Sequence, residues 1–233
     1  MPRALDGEHP GRHPAHWIII QGALLQKYPT RRSLIAAMSA AAGLLLGAKA
    51  IALPFAGGLA GADPTLSPAL RQKALLALAD HHRGIWSRDV IGIADFSVPS
   101  AIPRFHLVDI VGGATTTLLV AHGKGSDPDH SGLLQSFSNE YGSLATSEGA
   151  YLTGEAYDGV HGPSRRLLGL DPTNNNAEGR AIVIHAAWYV GPDIAARQGR
   201  LGRSDGCFVF SPADIGQVLA RLGKGRLIYA GRG

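Results

Sequence analysis

The sequence predicts a single, mainly β domain with a few peripheral helices. From residue 90 onward, short segments rich in β-branched and aromatic residues alternate with Gly, Pro, Asp and Asn, which is typical of strands joined by turns. Regular crossover helices do not separate these segments, so a doubly wound parallel sheet is not expected. Hydrophobic residues make up 45% of the 233 residues and charged residues 17%, a composition that excludes wholesale disorder.

Two helices and six strands are predicted along the chain. The first helix has Ser67 as its N-cap and Pro68 in its first turn, and it should end near Gly84. The same Ser-Pro signal at Ser211 predicts a second helix that stops at Gly223. Strands are predicted at 90–95, 104–109, 114–121, 181–185 and 226–230, with a weaker candidate at 149–157.

The formal net charge of +4 belongs to the first 62 residues. That segment holds six basic and two acidic side chains, which leaves sixteen of each in residues 63–233. Because residues 63–233 have no excess of basic side chains, there is no electrostatic reason for them to bind phosphate groups. A nucleic-acid partner is therefore not expected.

The N-terminal segment is interpreted as an export signal. Arg31 and Arg32 precede a weakly hydrophobic run at 34–46, and the pattern resembles a bacterial twin-arginine signal. The run is too short and too rich in Ala and Gly for a bilayer span, although an uncleaved anchor or a packed helix is the alternative. We therefore predict a leader at 1–52, a flexible linker at 53–66 and the folded domain at 67–233, located in the periplasm or cell envelope with no stable membrane span after processing.

Cys207 and His185 form the candidate catalytic pair. Cys207 is the only cysteine, so an intrachain disulfide is excluded, and its alternative role is that of a small buried hydrophobe. Gly206 permits a tight turn that would expose the sulfur and bring the N–H groups of Gly206 and Cys207 together as an oxyanion hole. His185 ends an apolar strand and would accept the thiol proton.

The sequence around this pair resembles a known family. The relevant segments are Ile184 to Val190 (IHAAWYV) and Gly199 to Cys207 (GRLGRSDGC), with further matching segments at 120–126, 137–139, 151–155 and 161–164. Together they resemble the active-site signature of the YkuD-like L,D-transpeptidases, and more closely their murein L,D-transpeptidase catalytic-domain branch. The resemblance covers most of the chain after the leader.

The resemblance implies a β-sandwich-like catalytic fold that acts on peptidoglycan stem peptides. In the family, the motif cysteine attacks the carbonyl of the third, diamino-acid residue and expels the terminal D-alanine. The resulting thioester passes its acyl group to an amine of a neighbouring stem or to water, and carbapenems acylate the same cysteine. By position, Cys207 would be the nucleophile and His185 its base, while Ser204 and Gly206 would shape the turn.

Further residues are expected around the substrate. Arg203 and Arg200 are candidates for binding a stem carboxylate, and His122 and His161 are expected to line the cleft or to hold its loops. Asp205 stands where many family members have a second histidine. A carboxylate next to the thiol should oppose thiolate formation.

The sequence is also compatible with three alternative functions. The first is an L,D-carboxypeptidase at the same site, and the second is a non-catalytic wall-binding module. The third is a zinc-dependent cell-wall peptidase, because the spacing of His122 and Asp129 also occurs in zinc D,D-dipeptidases. That class needs a Glu-x-x-His element, whereas this chain has Asp158 three positions before His161. The cysteine mechanism requires no metal or cofactor.

Overall fold

The computed structural model describes residues 63–233, so the predicted leader and residues 53–62 of the predicted linker lie outside the described residues. The described residues form three α-helices and eight β-strands. In chain order they are α1 (Pro68–Asp80), β1 (Val90–Asp95), β2 (Phe105–Asp109), β3 (Thr115–Leu118), β4 (Gly149–Gly159), β5 (Gly162–Gly169), β6 (Val183–Ala186), α2 (Pro192–Gln198), β7 (Phe208–Phe210), α3 (Ile215–Arg221) and β8 (Leu227–Gly231). The mainly β fold class is confirmed.

All eight strands belong to one continuous sheet with the order β3-β2-β1-β8-β4-β5-β6-β7. Neighbouring strands are antiparallel except for the pairs β1–β8 and β6–β7, which are parallel. The sheet also curls back on itself, because the chain beyond β3 reaches the opposite edge. There the N–H of Ala121 donates to the carbonyl of Val209 at 2.9 Å. The strand that leaves one edge therefore meets β7, the strand that follows Cys207.

The main hydrophobic core lies inside this curled sheet. Five strands separate β2, which holds Phe105, from β7, which holds Phe210, in the sheet order. Their ring centroids nevertheless lie 4.8 Å apart in an edge-to-face arrangement. Tyr151 of β4 packs in the same way against Phe208, with the centroids 5.3 Å apart. Opposing strands therefore pack face to face, as expected for a sandwich-like domain.

Helix α1 covers the outer face of the sheet beside β1 and β8. The hydroxyl of Ser67 accepts a hydrogen bond from the N–H of Leu70 at 3.4 Å, so the predicted N-cap is present. Leu70 is fully buried and packs in a second cluster with Ile91 and Ile93 of β1. Full burial of one such side chain stabilises the fold by about 1.5–3 kcal/mol.

Several elements differ from the predictions. The sequence does not predict β5, β7 or α2, and β3 ends at Leu118 rather than at 121. The last helix begins at Ile215 because the side chain of Ser211 accepts from the N–H of Asp214 at 3.1 Å, which holds 211–214 in a turn.

Residues 63–66, the last part of the predicted linker, contact the domain. The hydroxyl of Thr117 donates to the carboxylate of Asp63, and Leu66 is buried against α1. In the part of the chain that the structure describes, no helix is long and apolar enough to cross a bilayer.

Candidate active site

A turn at 204–207 presents Cys207 directly before β7. The N–H of Gly206 donates to Oγ of Ser204 at 3.2 Å, and the same hydroxyl donates to the carbonyl of Cys207 at 2.8 Å. Gly206 has a φ of 120°, and a Cβ at this position would lie 2.8 Å from the carbonyl oxygen of Ala145. Only glycine fits here. The expected oxyanion hole needs a correction, because the Gly206 N–H is already bound by Ser204.

Two other segments hold this turn in place. The N–H of Ser204 donates to the carbonyl of His122 at 2.9 Å, so the turn runs beside residues 122–124. The buried hydroxyl of Thr146 accepts from the N–H of Gly123 at 2.9 Å and donates to the carbonyl of Gly206 at 3.2 Å. The Thr146 side chain therefore links the 122–124 segment to the turn.

The Cys207 thiol is half-buried and is protonated in the resting state. Its Sγ–H donates to the carbonyl of Ala181 at 3.5 Å. The pKa of the Cys207 thiol is raised to about 11, chiefly by burial. The N–H of Val183 and the charge of Arg180 lower this pKa, whereas the carboxylate of Asp205 raises it. At neutral pH the sulfur therefore needs a base before it can attack.

His185 lies on the strand next to Cys207. In the parallel pair β6–β7, His185 is opposite Val209 and Ile184 is opposite Phe208. The ring Nδ1 lies 3.0 Å from the carbonyl oxygen of Ala186. A carbonyl only accepts, so Nδ1 carries the hydrogen and Nε2 of the neutral ring keeps its lone pair.

The surroundings of His185 keep its ring neutral. Burial lowers the pKa of His185, the carbonyl of Ala186 raises it, and the neighbouring His161 lowers it again. The exposed ring of His161, in the turn between β4 and β5, stacks on His185 with the centroids 4.3 Å apart and the planes 18° apart. The structure thus places His161 against His185, and a contact of His161 with substrate remains a prediction.

Asp205 is exposed and pairs with Lys124 at 2.8 Å. Its carboxylate still raises the pKa of Cys207, in the direction that the sequence predicts. Because the pair is open to solvent, the ammonium group screens this carboxylate only in part.

His122 does not line a cleft. Its side chain is 1% exposed, and the guanidinium of the fully buried Arg104 donates to Nδ1 at 2.6 Å. Nε2–H then donates to the carboxylate of Asp127 at 3.3 Å, so both ring nitrogens are occupied. This position fits the expectation that His122 holds loops beside the site, because the ring is a structural link behind the turn.

Arg203 and Arg200 support the loop at 127–132. The guanidinium of Arg203 donates to the carbonyls of Asp127 and of Pro128, the latter at 3.1 Å. Arg200 is half-buried and packs against the backbone of Gly132. A Cβ added at Gly132 would lie 3.0 Å from the Cβ of Arg200. No hydrogen bond or ion pair of the described residues joins either side chain to Cys207, and their role in carboxylate binding remains a prediction.

Comparison with known proteins identifies the domain. The family described as the L,D-transpeptidase catalytic domain matches residues 62–230. The chain belongs to this family. The match covers nearly all of the residues that the structure describes.

Solved structures similar to this domain include L,D-transpeptidases of three organisms. One from Mycobacterium tuberculosis is 14% identical with a TM-score of 0.40, and the match covers 62% of this chain and 58% of that one. One from Mycobacterium smegmatis is 15% identical with a TM-score of 0.37, over 61% and 58% of the two chains. One from Xylanimonas cellulosilytica is 13% identical with a TM-score of 0.38, over 67% and 68%. The chain thus spans less than two thirds of the first two. Among curated protein sequences, none matches the chain.

The arrangement of the L,D-transpeptidase domain does not fit a zinc site. Both ring nitrogens of His122 are engaged, and the carboxylate of Asp129 accepts from the side chain of Gln135 at 3.1 Å. Within residues 63–233, no group of three or more His, Cys, Asp or Glu side chains is placed to hold a metal ion.

Sequence reasoning missed Thr146, Arg180 and the carbonyl of Ala186. Thr146 lies 60 residues before Gly206 in the chain and belongs to no local motif. Arg180 lies at the end of a segment that reads as an ordinary loop. The Ala186 carbonyl is visible only once the His185 ring orientation is known.

Proposed function

We propose that the chain is a cysteine-dependent L,D-transpeptidase that cuts the bond between the diamino acid and D-alanine of a peptidoglycan stem. Membership of the family supports the reaction class. The observation that supports the residue assignment is the adjacency of β6 and β7, which places the neutral His185 beside the strand that begins after Cys207.

The proposed reaction begins with proton transfer from the Cys207 thiol to Nε2 of His185. The sulfur forms a bond with the carbonyl carbon of the diamino acid, and the carbonyl oxygen becomes an oxyanion. Because Ser204 accepts the Gly206 N–H, we assign the backbone part of the oxyanion hole to the Cys207 amide. The C–N bond then breaks, and the amine of D-alanine takes the proton from the His185 imidazolium.

The thioester is then resolved by an acceptor. An amine on a neighbouring stem attacks the thioester carbonyl and gives a proton to Nε2, and the Cys207 thiol is regenerated. Water in place of the amine would make the same site an L,D-carboxypeptidase. Export through the twin-arginine signal would place the domain in the periplasm, where stem peptides are found.

The test is incubation of the purified protein with disaccharide-tetrapeptide fragments, followed by mass spectrometry. Transpeptidation yields a crosslinked dimer with loss of one D-alanine, whereas carboxypeptidation yields only the trimmed tripeptide. Absence of both products from a folded, thiol-reactive protein would refute the proposed function.

A further inference from the structure

The guanidinium of Arg180 connects the segment before β6 to the segment before β4. Nη1 donates to the carbonyl of Ser138 at 2.8 Å and to the hydroxyl of Ser147 at 2.7 Å. Nη2 donates to the hydroxyl of Ser143 at 3.1 Å and to the carbonyl of Ala145 at 2.5 Å. All four N–H groups of the two terminal nitrogens are therefore used inside the protein.

This guanidinium lies directly behind the Cys207 turn. A Cβ at Gly206 would be 3.5 Å from Nη2 of Arg180 and 2.8 Å from the carbonyl oxygen of Ala145, which Nη2 binds. The next residue, Ala181, accepts the hydrogen bond of the thiol at 3.5 Å. Arg180 is thus close to the nucleophile in two ways. Its guanidinium lies beside Gly206 of the turn, and the carbonyl of the next residue, Ala181, binds the thiol.

The occupied donors decide what Arg180 can do. Bidentate binding of a stem carboxylate uses two parallel N–H groups of the fork, and the terminal nitrogens have none left for it. Arg180 is therefore not a substrate receptor. Its positive charge remains, since guanidinium stays protonated in proteins.

We propose that Arg180 is a positioning residue that holds a permanent positive charge behind the Cys207 turn and stabilises the negative charge that develops on the sulfur. The inference rests on the proposed role of Cys207 as nucleophile. Its test measures the reactivity of the thiol alone, so it can fail while transpeptidation stands.

Other charges near the thiol do not replace this one. Asp205 adds a negative charge, and Lys124 is bound to that carboxylate at 2.8 Å. Burial, with further contributions from nearby Cys207 and Asp205, raises the pKa of the Tyr189 phenol to about 12. Tyr189 is therefore neutral. His185 is neutral and stacks with His161. Burial lowers the pKa of Arg180, whereas nearby Tyr151, Cys207, Glu140 and Tyr141 raise it.

The experiment follows the alkylation of Cys207 by iodoacetamide as a function of pH, read as intact mass of the full chain. Cys207 is the only cysteine, so each adduct reports one site. In Arg180→Gln the pH at half-maximal rate should rise by about one unit, the lower end of what one close opposite charge contributes. Arg180→Lys keeps the charge and should stay closer to wild type than Arg180→Gln does.

Two controls separate charge from loop anchoring. Ser147→Ala removes one hydrogen bond of Arg180 but leaves its charge, so it should lower the melting temperature without moving the pH profile. Arg88→Gln removes a guanidinium that binds the carbonyls of Ile85 and His82, and it should leave the profile unchanged. If Arg180→Gln does not fold, Arg180→Met replaces it, because Met keeps the packing of the side-chain stem. A wild-type profile in the neutral variant, or an equal shift in Arg180→Lys, would overturn the proposal.

Discussion

The protonation states of Cys207 and His185 decide how the site works. Burial raises the pKa of the thiol to about 11 and lowers that of the imidazole, so the resting pair is neutral rather than an ion pair. The imidazole must therefore act as a base during attack. The sequence predicts both residues from the strand-end histidine and the Gly-Cys turn, but it does not predict the tautomer, which depends on the Ala186 carbonyl.

Replacing His185 by Ala should slow acylation of Cys207 by a carbapenem about a hundredfold, the usual loss for a general base. Time-resolved intact-mass spectrometry gives the rate, and Cys207→Ala should form no adduct. His82→Ala, which removes an exposed histidine next to α1, is the matched control and should react like wild type. Equal rates for wild type and His185→Ala would remove His185 from the mechanism.

His122 should make the domain sensitive to acid. Burial lowers the pKa of His122 to about 4, with further lowering by Arg104, although Asp127 opposes both. The unfolded chain, with an ordinary pKa near 6.5, binds more protons than the folded one between these values. Above pH 6.5, His122 is neutral in both states and does not reduce the free energy of unfolding. As the pH falls to 4, its protonation in the unfolded chain lowers that free energy by about 3 kcal/mol.

The comparison variant for this effect is His122→Gln, whose amide can accept from Arg104 and donate to Asp127 without titrating. Urea unfolding at pH 7 and pH 4.5 should show a smaller loss of stability for His122→Gln than for wild type. An equal loss in both proteins would show that His122 does not titrate as described.

At the level of elements, the nucleophile depends on contacts between segments that are distant in the chain. The turn at 204–207 contacts 122–124 along one side and Thr146 along the other. Thr146 is fully buried, and its hydroxyl both accepts and donates. One buried side chain therefore anchors the turn with both of its hydrogen-bonding roles in use.

Thr146→Val should lower stability by about 1–3 kcal/mol, because the Gly123 N–H and the Gly206 carbonyl would be buried without a partner. It should also slow carbapenem acylation, since the Cys207 turn loses one anchor. Thr146→Ser keeps the hydroxyl and should behave nearly like wild type. Unfolding by urea and the acylation rate of the same samples measure both effects, and an unchanged rate in a destabilised Thr146→Val protein would show that the anchor does not affect the thiol.

Most elements could be predicted, and those that could not have clear physical reasons. The apolar strand β1 has the predicted bounds, and the Ser67 cap marks α1. Strand β5 begins with Gly-Pro and contains two arginines, so its composition does not favour a strand. Strand β7 has only three residues, and it exists because β6 and the chain beyond β3 pair with it.

For the whole molecule, closure of the sheet is what sequence reasoning could not supply. Local patterns predict six of the eight strands, but the contact between Ala121 and Val209 joins positions 88 residues apart. The same closure buries His122 next to Arg104, so the local sequence alone could not decide between a place in the cleft and a hold on its loops. The site is thus a product of topology as well as of its motif.

Export is expected to depend on the arginine pair of the leader, which lies outside the described residues. Replacing Arg31 and Arg32 by Lys keeps the charge but removes the pair that the translocation receptor recognises. The precursor should then remain in the cytoplasm, as judged by fractionation and immunoblotting. Normal periplasmic maturation of the double variant would refute the assignment of the leader.

The most direct test of the cysteine mechanism is the release of D-alanine from a tetrapeptide stem, measured for wild type and Cys207→Ser with and without exhaustive chelation. A hydroxyl is far harder to deprotonate than a thiol, so Cys207→Ser should lose nearly all turnover, while chelation should leave the wild-type rate intact. The account is contradicted if chelation stops the wild-type reaction and added zinc restores it, or if Cys207→Ser turns over at the wild-type rate.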